Sequence, residues 1–356
     1  MKCKLIKWMV YLISFAIVIV LFFVSYDFSH IFGISRFLRE VFGAAVIAPL
    51  IFLLPFPKSF EQRVLRRHNG KWRFVPMSIL AREDLGAFLD KMDELKKNIP
   101  KFTETHNGKI ISYIINLRSA TERLAYVLPQ VSALDVPHAI INAVNGQEIP
   151  QEEINLIVDV DTYQTSFKML PELGTIGCSL SHAKALTRFL QSSYEFAVIF
   201  EDDVSFDPRK LSVIIKDLTQ KKKKWDIVSF ELNHHGHPVS IAELPYDRKL
   251  VFYLTNVKHT GAYLINRKAA HKLLKDFYPI EMPFDHYFTR SWEHALQFCG
   301  VEPRLVSQKF GNSQIKVSES QKIKSIFVVI SNFFHIVSSA IGYSMYNFFC
   351  YLFRWF

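Results

Sequence analysis

Phe196-Ala197-Val198-Ile199-Phe200-Glu201-Asp202-Asp203-Val204-Ser205-Phe206 is the stretch on which the reading of this chain turns. Five apolar residues in succession, with no polar alternation, suit a strand buried on both faces, as in a parallel sheet under helices. Three carboxylates follow at the carboxyl end of that strand, where open α/β sheets bind their ligands. Hard divalent cations such as Mg²⁺ or Mn²⁺ take carboxylate oxygens together with substrate phosphates. In an extended chain Glu201 and Asp203 would share one side and Asp202 would take the other. Glu201 and Asp203 are therefore the expected metal pair, and Asp202 a contact to something else, such as a sugar hydroxyl. An acidic turn closing a strand is the plainer alternative.

Working outward, the flanking sequence alternates between strand and helix signals. Ile110 to Leu117 reads as a buried strand, and Ser119-Ala120-Thr121-Glu122 as a capping box opening a helix. A helix amino end directly after a strand is an anion site, to which Arg118 and Arg123 add charge for a phosphate or uracil contact; both arginines also suit ordinary helix solvation. Pro137 to Val144 reads as a second strand and Asn145-Gly146 as a turn. Gly174 to His182 is a glycine-punctuated entry into a helix continuing through Leu190, in which His182 either binds a phosphate or sugar hydroxyl or is simply packed. Downstream, Asp207-Pro208 starts a helix carrying Leu211, Ile214, Ile215 and Leu218 on one face. Trp225 to Phe230 makes a strand closed by Glu231. This alternation from 109 to about 230 predicts an α/β sheet with parallel pairs. The second half is more mixed, with strands at 250–254 and 261–265, a helix over 267–276, and another opened by Pro283 and running past Trp292. His234, His235 and His237 sit among Gly236 and Pro238 and read as a loop rather than a metal tract.

Of 356 residues 49% are hydrophobic, and the net charge is +10. Basic residues flank the apolar ends (Lys2, Lys4 and Lys7, then Lys58, Arg63, Arg66, Arg67 and Lys71), which favours a membrane surface over nucleic acid. Trp8–Val24 is long enough to span a bilayer, and Val41–Phe56 spans, re-enters or lies flat. Lysines and arginines before the first run and after the second suggest a hairpin with both ends cytoplasmic. The four cysteines are scattered without CxxC spacing, against zinc and a disulfide framework. The chain thus divides into a membrane anchor (1–56), a basic connector with an amphipathic helix (57–108), a globular body (109–310) and an apolar tail (311–356). In the connector helix, Ser78 is the expected cap and Leu85, Phe88, Leu89, Met92 and Leu95 form one face.

Six ordered blocks between Ile110 and about Val306 resemble glycosyltransferase family 25, which includes bacterial lipooligosaccharide galactosyltransferases. They are Ile115-Asn116-Leu117-Arg118 with Glu122-Arg123; Ala143-Val144-Asn145-Gly146; Gly177-Cys178-Ser179-Leu180-Ser181-His182; Phe200-Glu201-Asp202-Asp203; Gly261-Ala262-Tyr263-Leu264-Ile265; and Pro283-Phe284-Asp285-His286. The chain departs from the family pattern at Asn145, where aspartate is usual, and at Thr175, where glutamate is common. The resemblance implies a GT-A-like fold and inverting transfer of a sugar, with galactose the family's commonest, from a UDP-sugar to a glycan or glycolipid acceptor. It makes Asn116, Arg118, Arg123, Asn145, His182, Asp202 and His286 the expected substrate contacts. Glu201 and Asp203 would hold Mn²⁺ or Mg²⁺ as Lewis acid and template. An inverting transfer needs a base for the acceptor hydroxyl; Asp285 is the first expectation and Glu231 the second. Together with the membrane ends, this points to a lipopolysaccharide acceptor and a catalytic body on the cytoplasmic side of a bacterial inner membrane. A non-catalytic membrane scaffold on the same fold and a metal-dependent phosphohydrolase are the rival classes.

Overall fold

The computed structural model describes residues 63–68, 71–76, 82, 84–101, 109–167, 170–232, 238–253 and 257–310. The expected membrane segments Trp8–Val24 and Val41–Phe56 and the apolar tail 311–356 lie outside these residues, as do Ser78, His234, His235 and His237. Among the described residues no helix is long and apolar enough to cross a membrane.

Two strands, β1 (Arg63–His68) and β2 (Lys71–Pro76), pair antiparallel with His68 opposite Lys71. The sequence reading passed over this hairpin, although Asn69-Gly70 between two strand-like runs is its usual signal. Helix α1 (Leu85–Lys97) buries Phe88, Leu89 and Met92, and packs against Leu156 and Tyr278 of the body. The face expected from its apolar spacing is thus a docking face, covered by protein.

The body is an α/β fold. In chain order it runs β3 (Ile110–Asn116), α2 (Thr121–Ser132), β4 (His138–Asn142), α3 (Gln151–Ile157), α4 (Val160–Phe167), α5 (Leu173–Gln191), β5 (Phe196–Glu201), β6 (Val204–Phe206), α6 (Pro208–Gln220), β7 (Ile227–Ser229), β8 (Pro238–Leu244), β9 (Arg248–Tyr253), β10 (Ala262–Asn266), α7 (Arg267–Lys275), α8 (Phe284–Thr289), α9 (Ser291–His294), β11 (Phe298–Glu302) and β12 (Val306–Gln308). Eight strands form one mixed sheet in the order β4-β3-β5-β10-β7-β11-β9-β8. The expected parallel pairs are present: β3 runs parallel to β4 and to β5. Strand β10 then enters antiparallel between β5 and β7, which makes the sheet mixed.

Strand β5 lies near the middle and is buried on both faces, as its unbroken apolar run requires: Phe196 through Phe200 are all essentially inaccessible. Phe196, Val198 and Phe200 pack with Val127 and Val131 of α2 and with Leu211, Ile214, Ile215 and Leu218 of α6. Ala197 and Ile199 alternate to the opposite face, where α5 packs on β3, β4 and α7. Helix α6 starts as its sequence dictates, with the Asp207 carboxylate accepting the Arg209 and Lys210 N–H groups.

Three local expectations are corrected. Ser119 does not cap α2; its N-cap is Ala120, without a side-chain bond, and Asn116 Nδ2 donates to the Ala120 carbonyl instead. The helix expected to run past Trp292 is interrupted at Arg290, giving α8 and α9. Asn145-Gly146 does not form a hairpin-type turn; Asn145 caps a single 3₁₀ turn over Gly146–Glu148 by accepting the Gln147 N–H.

Arg267 ties the start of α7 to the end of α5. Its guanidinium is buried and donates to the carbonyls of Phe189, Leu190, Ser192 and Tyr194, which collect the orphan acceptors at the end of α5. Lysine cannot reproduce that planar fork. Arg267→Lys is expected to cost about 2 kcal/mol, the scale of charged hydrogen bonds lost in a buried place, read as a lower urea midpoint at unchanged m-value.

Candidate active site

The carboxyl ends of β3, β4 and β5 open onto a cleft of about 690 Å³. Its wall includes Arg123, Asn145, His182, Glu201, Asp202, Asp203, Asp285 and His286, so eight expected site residues from distant parts of the chain meet there. Three others do not reach the lining. Asn116 is buried at 4% exposure, Arg118 is exposed to solvent although its neighbours Leu117 and Ser119 line the cleft, and Glu231 is buried at 2%.

The acidic triplet divides its work differently from an extended strand. The chain turns at Asp202-Asp203 between β5 and β6, so each carboxylate takes its own direction. Glu201 Oε1 accepts from Thr260 Oγ1 at 2.6 Å and lies 3.2 Å from His182 Nε2. Burial works to raise its pKa, but those hydrogen bonds and the nearby imidazoles outweigh it, and Glu201 is held below the usual carboxylate range. Asp202 accepts from Asn116 Nδ2 at 2.8 Å and from Arg123 Nη1 at 3.2 Å. Asn116 and Arg123 thus hold the triplet in place; burial nevertheless leaves Asp202 somewhat raised. Asp203 Oδ1 is buried without a hydrogen-bond partner. Burial, then the neighbouring Glu201 and Asp202 charges, push its carboxyl up to about 7.

His182 is fully buried. Nδ1 meets the Tyr263 hydroxyl at 3.0 Å, Nε2 meets Glu201, and the ring stacks on Phe284 at 4.6 Å. Both nitrogens are used by the protein, so the geometry favours the packed reading: His182 fixes Glu201. Ser181, next to it, donates to the Gly177 carbonyl and accepts the Val144 N–H, tying the 143–146 loop to α5. Asp285 Oδ1 accepts the His286 N–H at 2.8 Å in the first turn of α8. Burial, with Lys258 and Arg290 adding to it, lowers His286 to about 4 against the pull of Asp285. His286 is therefore neutral at physiological pH.

Lys258, His259 and Thr260 also line the cleft, and the sequence reading assigned none of them a role. They precede the Gly261-Ala262-Tyr263 block, and no spacing rule marks them; only the antiparallel entry of β10 beside β5 brings them to the acidic triplet.

Two donor sets are candidates for a metal. The carboxylates of Glu201 and Asp203 offer hard oxygens, one of them an orphan. Lining carboxylates also outnumber the lining's lysine and arginine, an excess of negative charge that a divalent cation would offset. Cys178, His182 and Glu201 bring their donor atoms within 4.8 Å of one another. That set fits less well, because both His182 nitrogens are engaged. Burial also pushes the Cys178 thiol well up, with the Glu201, Asp285 and Asp203 carboxylates adding to it.

The model of glycosyltransferase family 25, described as an LPS biosynthesis protein, matches residues 109–288. The chain belongs to glycosyltransferase family 25. No curated protein matches it. Membership makes it a glycosyltransferase of the lipopolysaccharide-biosynthesis family, and the matched segment contains every candidate site residue from Asn116 to His286. It also contains β3, β4 and β5, whose ends form the cleft.

Glu231 sits beneath the cleft floor. Burial, then the Glu201 charge, push its carboxyl up to about 7. A carboxyl raised in the folded state contributes stability that is present below its unfolded value near 4.5 and lost as pH rises through 7. The loss is of order 2–3 kcal/mol between those limits. In paired thermal scans at pH 5 and pH 8, Glu231→Gln is expected to show a smaller fall in Tm with rising pH than the wild type.

Proposed function

We propose that this cleft transfers a sugar from a UDP-sugar to a glycan acceptor, with inversion and with help from Mn²⁺ or Mg²⁺. The observation that carries the reading is the acidic end of β5, where the orphaned Asp203 oxygen stands at the carboxyl edge of parallel strands. Glu201 and Asp203 would hold the cation, which when bound supplies charge neutralisation at the donor's diphosphate. Arg123, fixed against Asp202 and 3.8 Å from Asp203, sets the position of the acidic turn. Lys258 adds a positive charge on the wall for the leaving phosphates. Asp202 is spoken for by Asn116 and Arg123, so it orders the site rather than binding a sugar hydroxyl. Asn145 and neutral His286 line the space left for the sugar and its acceptor. The fold that supports this is GT-A-like. Proton removal from the acceptor falls to a cleft group, for which Asp285 and His259 are the candidates.

The apolar runs at both ends of the sequence support a body held at a membrane, on the cytoplasmic side of a bacterial inner membrane, with a lipid-linked lipopolysaccharide precursor as acceptor. Activity on soluble oligosaccharides with no lipid-linked product would count against that location. The donor is tested by offering detergent-purified full chain a panel of UDP-sugars with Mn²⁺ or Mg²⁺ and following UDP release beside calorimetric binding. Metal-dependent release from one donor names the sugar. Silence together with no donor binding would instead favour a scaffold that keeps the fold.

A further inference from the structure

We propose that His259, backed by the buried carboxylate of Glu231, is the group that takes the proton from the acceptor hydroxyl. This rests on the transferase reading and assigns a residue that neither the resemblance nor the acidic triplet points to.

His259 lines the cleft at 32% side-chain exposure, and its Nδ1 lies 3.6 Å from Glu231 Oε1. Nε2, across the ring, is left for the cleft. Glu231 itself is outside the cleft lining, and His259 stands between it and the cleft. Its other oxygen, Oε2, is buried with no hydrogen-bond partner. At 3.6 Å the contact is an ion-pair distance and not a hydrogen bond, so Glu231 acts on His259 through its charge, stabilising the imidazolium when it forms.

Three further observations make the arrangement a built one. The His259 backbone stands at φ 86°, a left-handed conformation that histidine adopts at a steric cost and that clusters at functional sites. The next two residues are fastened to the acidic strand end: Thr260 Oγ1 donates to Glu201 Oε1, and the Gly261 carbonyl accepts the Glu201 N–H at 2.8 Å. At Gly261 a Cβ would stand 3.0 Å from Glu231 Oε2, so the glycine lets the carboxylate lie close against the backbone. The charged groups around the pair are Lys258 beside His259 in the chain, and Glu201, Asp203 and Arg304, whose charges Glu231 feels. Asp285 is the weaker base by geometry, because one of its oxygens already accepts the His286 N–H.

In the step itself the acceptor oxygen bonds to the anomeric carbon, and its proton goes to His259 Nε2. The bond from that carbon to the donor's phosphate oxygen breaks, and the bonding pair leaves with the nucleoside diphosphate. In donor hydrolysis water takes the acceptor's place, so the same base is needed.

The test uses the full chain in detergent with UDP-galactose, UDP-glucose and UDP-N-acetylglucosamine in the presence of Mn²⁺. His259→Gly accepts the positive φ and leaves a gap the size of an imidazole. It is expected to bind the donor as the wild type does, to release UDP about 10²-fold more slowly or less, and to regain turnover with added imidazole. Glu231→Gln is expected to lower kcat about 10-fold at unchanged KM, and Glu231→Asp to recover part of it. Wild-type turnover in His259→Gly overturns the proposal, as does a loss that imidazole does not restore while Asp285→Asn is also inactive. A wild type that binds no nucleotide sugar by calorimetry overturns the donor reading itself, and the proposal falls with it by a separate readout.

Discussion

Asp203→Ala is expected to lower metal-dependent UDP release by about 10³-fold, because on the proposed reading the cation's several kcal/mol of charge stabilisation would be lost and each 1.36 kcal/mol is tenfold in rate. The physical basis is the division of labour within the triplet. Glu201 is fixed by Thr260 and His182, and Asp202 by Asn116 and Arg123, whereas Asp203 keeps a buried oxygen with no protein partner. That oxygen has no structural job to lose. The stability of the metal-free protein should therefore respond in the opposite sense to activity. With its carboxyl pushed up to about 7, ionised Asp203 strains the folded state above that pH. In metal-free buffer at pH 8 the Asp203→Ala protein should melt at the same temperature as the wild type or higher, while addition of Mn²⁺ raises Tm in the wild type only. Equal Mn²⁺-induced shifts in both proteins would show that the cation does not sit at Asp203. This is the pattern of a site that trades stability for function.

Gly146→Ala is expected to have the largest structural effect. A Cβ at this position would land on the Leu173 carbonyl oxygen, a backbone atom at the start of α5 that cannot swing aside. The contact is reciprocal: a Cβ at Gly177 would stand 2.7 Å from both the Gly146 nitrogen and the Val144 carbonyl oxygen. The two glycines let the loop after β4 and the first turns of α5 touch backbone to backbone, with Ser181 bonded across the seam. Relief of the clash must move a whole element, so the cost should be at the upper end for overpacking, about 3 kcal/mol or more. For a domain of this size that is a fall in Tm of roughly 6–12 °C. Since Asn145, Gly174 and Thr175 line the cleft beside this seam, donor affinity should fall along with stability. Full donor binding with an unchanged Tm would show that the loop can shift at no cost.

The reading of β5 from its apolar run was sufficient because burial on both faces leaves a mark at every residue. Asp207-Pro208 likewise announced α6, since a cap and its helix face are local chemistry. The family blocks then brought eight residues to one cleft. What misled was the extension of strand periodicity past Glu201. Period-two alternation holds only while the backbone stays extended, and the turn at Asp202-Asp203 sent Asp202 to Asn116 and Arg123. Asn116 was an expected substrate contact only through its place in a family block. Its amide instead satisfies the Ala120 carbonyl and Asp202.

By itself the sequence determined the α/β class, the central buried strand, the acidic strand end and the parallel pairing of the first three body strands, because these follow from local burial pattern and short-range connection. Tertiary structure alone decided which carboxylate is left without a partner and which imidazole stands beside it. Strand β10 enters antiparallel beside β5 and carries Thr260 to Glu201 and His259 to Glu231 across separations of 59 and 28 residues. No periodicity or spacing encodes such a meeting; it exists only once the sheet order has been set by packing, where the desolvation of each acid is balanced against the partners the fold supplies.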